Sequence, residues 1–197
     1  ITAMAAMMLI EQGKLKLDQP VSDFIPSFKN MTVLVDPTKD LTARPATTPI
    51  TVRHLMTHTA GLGYTIITQG PLLKEYERQG ITPFSANEQV EAQLRLVRPK
   101  SLAEFADRVG KLPLIAEPGT KWSYSIGLDV LGRVVEVASG MPFETYLQKH
   151  IFTPLKMNSS YFTVPGKDAA RLVTGYTWVG ANRVPLDPGA TSIFLKP

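Results

Sequence analysis

Two histidines four residues apart are the first residues in this sequence whose spacing could support chemistry. His54 and His58 lie in "ITVRHLMTHTAGL", and on a helix this spacing places both rings on one face, as in zinc-binding helices. Leu55 stands where a metalloprotease helix carries its glutamate base, and no third ligand is evident. We therefore predict no metal site, and we interpret His58 as a structural residue near a helix end.

Serine hydrolysis is the next chemistry to consider, and neither of its common patterns occurs. The sequence has no Gly-x-Ser-x-Gly, the pattern of a nucleophilic serine on a strand-to-helix turn. No serine is followed three residues later by a lysine, which on the next helical turn could take the proton of the hydroxyl. Cysteine is absent, so thiolate nucleophiles are excluded as well.

A tyrosine in the segment "EPGTKWSYSIGLDVLG" is the remaining candidate for proton transfer. A Pro-Gly turn leads into this segment, and Tyr124 comes just before an apolar run that predicts a buried helix. The N-terminus of a helix is electropositive and favours a phenolate, which suits a general base. The alternative is that Tyr124 only packs against Trp122.

Composition and charge favour one soluble globular domain. The 197 residues are 44% hydrophobic and 19% charged, which is ordinary for a domain with its own core. The 21 basic and 17 acidic residues are scattered, without the basic run or aromatic ladder of nucleic-acid-binding proteins. There is no signal-peptide pattern and no apolar stretch of about 20 residues. We expect no nucleic-acid partner, membrane or cofactor, and a cytoplasmic rather than periplasmic or secreted protein.

The first ten residues, "ITAMAAMMLI", are apolar except for Thr2. They predict a helix buried on all sides, and Gly13 is a suitable residue for its end. A start signal is missing, because only Thr2 could cap the helix and it stands one residue inside the apolar run. Two interpretations remain: a helix capped by Thr2 where the chain starts, or a chain cut within a longer helix.

Capping residues and glycines predict the further elements. Thr51 predicts the start of a helix that Gly61 ends, and Pro142 the first position of another. Two capping boxes begin helices, Ser85 with Glu88 and Ser101 with Glu104. The apolar run before Gly140 predicts a helix whose inward residues are Ile126, Val130, Leu131, Val134, Val135 and Val137.

Strand character is expected only late in the chain. Two extended runs flank the Gly-Ala-Asn turn at 180–182, whereas residues 37–49, rich in proline and threonine, predict a surface loop. The stretch 64–113 predicts a helical excursion that lines the entrance of a cleft.

Four stretches of the sequence together resemble the serine β-lactamase and DD-peptidase superfamily, and most closely the family VIII carboxylesterases. They cover well over half of the chain, in order: "ITAMAAMMLIEQGKLKLDQPVSDFIPSFKNM", "ITVRHLMTHTAGLGY", "KWSYSIGLDVLGRVVEVASGMPFETYLQKHIFTPLKM" and "GYTW...VPLDPGA". The resemblance implies an α+β fold in which residues 1–197 form one partial domain. This is the mostly helical lobe of the β-lactamase/transpeptidase-like fold, with most of the antiparallel sheet outside the chain.

The resemblance also implies the functional residues. A catalytic Ser-x-x-K would lie just before Ile1, and a third motif, Lys-Thr-Gly or Trp-Gly-Gly, beyond the end of the chain. The Tyr-x-Asn motif maps onto Tyr124, Ser125 and Ile126, and Tyr124 would activate the serine together with the lysine and protonate the leaving group. Ile126 replaces an asparagine that binds amides, which favours esters over β-lactams. Tyr64 would line the pocket, with a surface tyrosine as the alternative, so the predicted substrate-binding residues are Tyr64, Ser125 and Ile126.

The resulting hypothesis is a serine carboxylesterase that acts on small-molecule esters through an acyl-enzyme. The isolated chain should be inactive, because the expected nucleophile lies outside it. Its expected partner is the rest of its own domain, or an unknown oligomer. A β-lactamase, DD-peptidase or acyltransferase of the same fold remains an alternative, and so does a non-catalytic binding module. The residues before Ile1 would decide between enzyme and binding module.

Overall fold

The computed structural model describes residues 1–195, which form a helical body with two small antiparallel sheets. The α-helices of this part of the chain are α1 Thr2–Glu11, α2 Val52–Met56, α3 Gly70–Arg78, α4 Glu88–Val97, α5 Leu102–Val109, α6 Gly127–Ser139 and α7 Phe143–Leu147. Its strands are β1 Thr32–Leu34, β2 Ala43–Pro45, β3 Gly175–Val179 and β4 Asn182–Asp187. The predicted α+β class and mostly helical character are confirmed. None of the helices in residues 1–195 is long and apolar enough to cross a lipid bilayer.

Helix α6 is the centre of the hydrophobic core, where it packs against α1, α2, α5 and α7. Four of its apolar side chains are fully buried, namely Val130, Leu131, Val134 and Val135. Gly140 ends the helix in the left-handed conformation with φ 70°, as the pattern predicts. The inward position predicted for Val137 is wrong, since this residue is exposed at the edge of the buried face.

Helix α1 is buried on one face only, so the prediction of burial on all sides is wrong. Ala5, Ala6 and Leu9 are fully buried, whereas Ile1 and Met4 are 57% and 47% exposed. The exposed side chains recur every three residues, at Ile1, Met4 and Met7, and therefore form one stripe along the helix.

For α1 the sequence offers Thr2 as a cap at the start and Gly13 as the residue that ends the helix. The helix begins at Thr2 and has no side-chain cap, so the proposed Thr2 cap is wrong. At the other end Gly13 adopts φ 70°, as the pattern predicts.

The caps of the later helices agree with the sequence in two of three cases. Thr51 caps α2, since its hydroxyl accepts from the His54 N–H at 3.4 Å, and Ser101 caps α5, accepting from the Glu104 N–H at 3.1 Å. The second half of the predicted box at Ser101 is not formed, because the Glu104 carboxylate accepts from the Lys100 N–H at 2.8 Å. The box predicted at Ser85 is wrong, because Asn87 caps α4 and accepts from the Val90 N–H at 3.1 Å.

Two helix boundaries also differ from the predictions. Helix α2 ends at Met56 rather than at Gly61, because His58 adopts the left-handed conformation, with φ 56°, and turns the chain away. Pro142 lies just outside α7, as its N-cap residue.

The late hairpin is confirmed, but a second sheet precedes it. Strands β3 and β4 pair antiparallel across the predicted turn. Strands β1 and β2 also pair antiparallel, so the predicted loop at 37–49 is wrong for Ala43–Pro45. Leu114 extends this pairing, because its N–H donates to the Thr32 carbonyl at 2.7 Å and its carbonyl accepts from the Leu34 N–H at 2.9 Å. Three-residue strands are too short to show an alternating pattern.

Candidate functional site

Tyr124 lies beside the loop that follows α2, in the segment that leads into α6. It precedes Gly127, the first residue of α6, by three positions. Its ring centroid is 4.9 Å from that of His58 and 5.7 Å from that of Tyr64, with tilted planes in both pairs. The Tyr124 side chain is 47% exposed, so its phenol is available to a ligand while the ring is held by its neighbours.

His58 holds the Tyr124 segment on both sides of the tyrosine. Its carbonyl accepts a hydrogen bond from the Ser123 N–H at 2.9 Å. Its ring Nδ1 accepts from the Ser125 N–H at 3.2 Å and lies 3.3 Å from the Ser125 hydroxyl oxygen. An Nδ1 that accepts from a backbone N–H carries no proton, so this arrangement assigns the neutral imidazole with its proton on Nε2.

Two further ionisable groups lie close to this pair of rings. The pKa of Tyr64 is raised, first by its burial and then by the negative charge of Asp129 and the neighbouring Tyr124. Burial also raises the pKa of Asp129, which lies in the first turn of α6, while a hydrogen bond from the backbone acts in the opposite direction. The site therefore disfavours additional negative charge at Tyr64 and Asp129.

Two of the predicted site residues are at least partly exposed and two are buried. The partly buried Tyr64 and the exposed Tyr124 lie together, with 5.7 Å between their ring centroids. Ser125 is 4% exposed, and its hydroxyl is used by His58 Nδ1 and by the Gly127 N–H at 3.3 Å. Ile126 is 3% exposed and belongs to the hydrophobic core. The predicted substrate contacts of Ser125 and Ile126 thus find no support in the geometry, because internal packing and hydrogen bonds occupy both side chains.

A cavity of about 460 Å³ lies next to the Tyr124 segment. Ser123 and Lys121 border it on one side, and Ile67 and Gly70 are among the residues on the other. Residues at the beginning of the 64–113 stretch border this cavity, whereas the lining of a substrate cleft by the stretch stays a prediction. A separate cavity of about 830 Å³ is bordered by Asp129 and neither by Tyr64 nor by Tyr124.

The two histidines that suggested a metal have separate roles in the structure. His54 Nδ1 accepts from the Thr51 N–H at 3.2 Å and completes the cap of α2, whereas His58 binds the Tyr124 segment. Within residues 1–195, no cluster of three or more histidine and carboxylate side chains is suited to holding a metal ion.

One residue of the site does not emerge from the sequence reasoning. Asp129 interrupts an apolar helical run in its first turn, and a carboxylate at such a position is the signal that could identify it.

Comparisons with known proteins place this geometry in a family. The Beta-lactamase family matches residues 1–194. The chain is 34% identical over 162 residues to Esterase EstB of Burkholderia gladioli, covering 82% of this chain and 36% of the relative. It is 34% identical over 164 residues to Monacolin J acid methylbutanoyltransferase of Aspergillus terreus, covering 82% and 35%.

Among solved structures, the chain resembles EstCE1, described as a hydrolase with promiscuous acyltransferase activity. The TM-score is 0.71 at 29% sequence identity, over 95% of this chain and 43% of that chain. The chain thus spans less than half of EstCE1 and little more than a third of Esterase EstB and of the methylbutanoyltransferase.

Proposed function

The chain belongs to the β-lactamase family, and from this premise we propose that it is part of a serine carboxylesterase that works through an acyl-enzyme. The observation that carries the proposal is Tyr124, half exposed and fixed by His58 and Tyr64 at the entrance to α6. The similarity to Esterase EstB supports an ester as the substrate.

Tyr124 is the proton-transferring group in the proposed reaction. A serine oxygen attacks the ester carbonyl carbon, and its proton passes to Tyr124 acting with a lysine amine. The proton then goes to the departing alkoxide, which leaves as the alcohol. Water attacks the acyl-serine in the same way and releases the acid. In this proposal the serine and the lysine belong to polypeptide that precedes Ile1, and the exposed apolar stripe of α1 is available to contact the rest of the domain.

Turnover of p-nitrophenyl butyrate tests the proposal. Residues 1–197 should hydrolyse it no faster than buffer, because no serine in the sequence has its lysine three residues on. A longer polypeptide that carries Ser-x-x-K before Ile1 should turn it over and lose about 10²- to 10⁴-fold in rate in Tyr124→Phe. Tyr176→Phe is the matched control, since Tyr176 is an exposed tyrosine on β3.

Two results would contradict the proposal. Turnover by residues 1–197 that falls in Tyr124→Phe would show that the chain needs no further nucleophile. Other residues in place of Ser-x-x-K before Ile1 would favour a non-catalytic binding module.

Acyl transfer to an alcohol is the second candidate, because a curated relative is a methylbutanoyltransferase and EstCE1 is described as having acyltransferase activity. Both activities share the acyl-enzyme and differ in whether water or an alcohol attacks it. Adding 1-butanol to the assay of the longer polypeptide separates them, since a transferase yields butyl butyrate and a hydrolase yields butyrate. Stable acylation by a penicillin would instead favour a penicillin-directed enzyme.

A further inference from the structure

We propose that His58 is the positioning residue of Tyr124, and that it holds the tyrosine in place only while its imidazole is neutral. The proposal deepens the function proposed above, because it concerns the group assigned to proton transfer. It rests on the hydrogen bonds and ring contacts of His58, which all lie within this chain, so its test requires no turnover.

The contacts of His58 restrain both neighbours of Tyr124. The Ser123 N–H binds the carbonyl of His58, and the Ser125 N–H binds its ring. The ring itself lies against Tyr124 at 4.9 Å between centroids and presents an edge-on contact to Trp122 at 6.2 Å. A side chain that contacts the tyrosine ring and fixes both flanking residues leaves that segment little freedom of its own.

Protonation of His58 removes the ring contact to Ser125. A protonated imidazole carries N–H groups on both nitrogens and has no acceptor left for a backbone N–H. Ser125 is buried, so water does not readily replace the lost acceptor, and an unsatisfied buried N–H is unfavourable. The hydroxyl of Ser125 can turn to accept from Nδ1, but this leaves the backbone N–H unsatisfied. The segment must therefore shift, and Tyr124 shifts with it.

The other charged and titratable groups near His58 come from α6 and from two loops. Asp129 of α6 favours the protonated imidazole when it is ionised, but burial raises the pKa of Asp129 and so keeps its carboxyl neutral to higher pH than usual. The tyrosines Tyr64 and Tyr124 face the same space from their loops, and burial raises the pKa of Tyr64, which favours its neutral form. Tyr124 should thus report the protonation state of His58 as the pH is lowered.

NMR of residues 1–197 with ¹³C-labelled tyrosine and histidine rings and ¹⁵N-labelled backbone amides tests the proposal. Tyr124→Phe assigns the Tyr124 signal, and the sample is titrated from about pH 8 to pH 5. We expect the Tyr124 ring signal and the Ser125 amide signal to shift with the same midpoint as the His58 ring. Tyr146 provides an internal comparison, since its ring lies 4.5 Å from that of His150 and it should not share the midpoint of His58.

His58→Gln is the discriminating variant, with His150→Gln as its matched control. The glutamine oxygen can accept from the Ser125 N–H but does not titrate, so Tyr124 should keep its neutral-pH signal down to about pH 5. His150→Gln should leave the titration of Tyr124 unchanged. Circular dichroism establishes that the variants are folded, and if His58→Gln does not fold, the wild-type titration alone decides.

The proposal is overturned if His58 titrates while Tyr124 and Ser125 do not respond, or if Tyr124 responds equally in His58→Gln. These results are independent of the esterase assay. Coupled titration without esterase activity in the longer polypeptide would remove the catalytic function and leave the positioning role. Activity without coupled titration would remove the positioning role alone.

Discussion

Replacement of Gly61 by alanine should strongly destabilise the fold for two reasons, its left-handed backbone conformation and a steric clash. Gly13 is a matched position that shares only the first of them. Gly61 has φ 75°, and a Cβ built on it would lie 2.0 Å from the carbonyl oxygen of Ala116. That oxygen belongs to the backbone and cannot rotate away. Gly13 has nearly the same conformation, φ 70°, but its Cβ would have no atom within 4 Å.

The expected magnitudes follow from these two environments. The left-handed conformation costs an alanine about 1 to 2 kcal/mol, and the reduced entropy of the unfolded chain offsets about 0.4 to 1 kcal/mol of this at either position. Gly13→Ala should therefore lower the free energy of unfolding by about 1 kcal/mol. Gly61→Ala must also move a backbone segment, which adds about 1 to 3 kcal/mol or more.

Urea unfolding followed by circular dichroism measures both variants against the wild type. The difference between Gly61→Ala and Gly13→Ala isolates the clash with Ala116. If the two variants lose the same free energy within about 0.5 kcal/mol, the close approach at Gly61 does not constrain the turn and the reasoning fails.

Two further predictions concern stability. Burial raises the pKa of Tyr76 to about 12, so its neutral form is favoured by the fold. This stability is fully present below about pH 10, and about 3 kcal/mol of it is lost as the pH rises toward 12. A series of urea-unfolding measurements across this range should show the loss, and Tyr76→Phe should abolish it. Ser101→Ala should lower the free energy of unfolding by about 1 kcal/mol, because α5 loses its cap. Ser85→Ala should lower it by less, because Asn87 and not Ser85 caps α4. Urea titrations of both variants measure the difference.

The long, apolar elements of this fold could be predicted from the sequence, and the short ones could not. Helix α6 follows from a sustained helical pattern that ends at Gly140, and these signals are local. Strands β1 and β2 have three residues each, too short for an alternating pattern, and β1 also pairs with Leu114, about 80 positions further along the chain. No local sequence pattern contains this long-range pairing, and the composition of residues 37–49 predicts a loop where Ala43–Pro45 form a strand.

At the site, the sequence indicates which residues are involved but not how their side chains are oriented. Tyr124 could be identified from its place before an apolar helix and from the resemblance to a family motif. The sequence motif also selects Ser125 and Ile126, but it does not determine which way each side chain turns as the chain enters α6. The Ile126 N–H donates to the Gly63 carbonyl at 3.3 Å while the isoleucine side chain fills the core, and only the folded chain reveals this.

The contacts that hold the Tyr124 segment explain why a chain matched to little more than a third of Esterase EstB still carries an ordered tyrosine. The segment binds the loop between α2 and α3, at His58 and Gly63, and continues into α6, the most buried helix of the core. These partners all lie among residues 1–195, so packing of the lobe itself fixes the position of Tyr124. The proposed chemistry then depends on which nucleophile meets a tyrosine that is already in place, and preorganisation of this kind is what general acid–base catalysis requires.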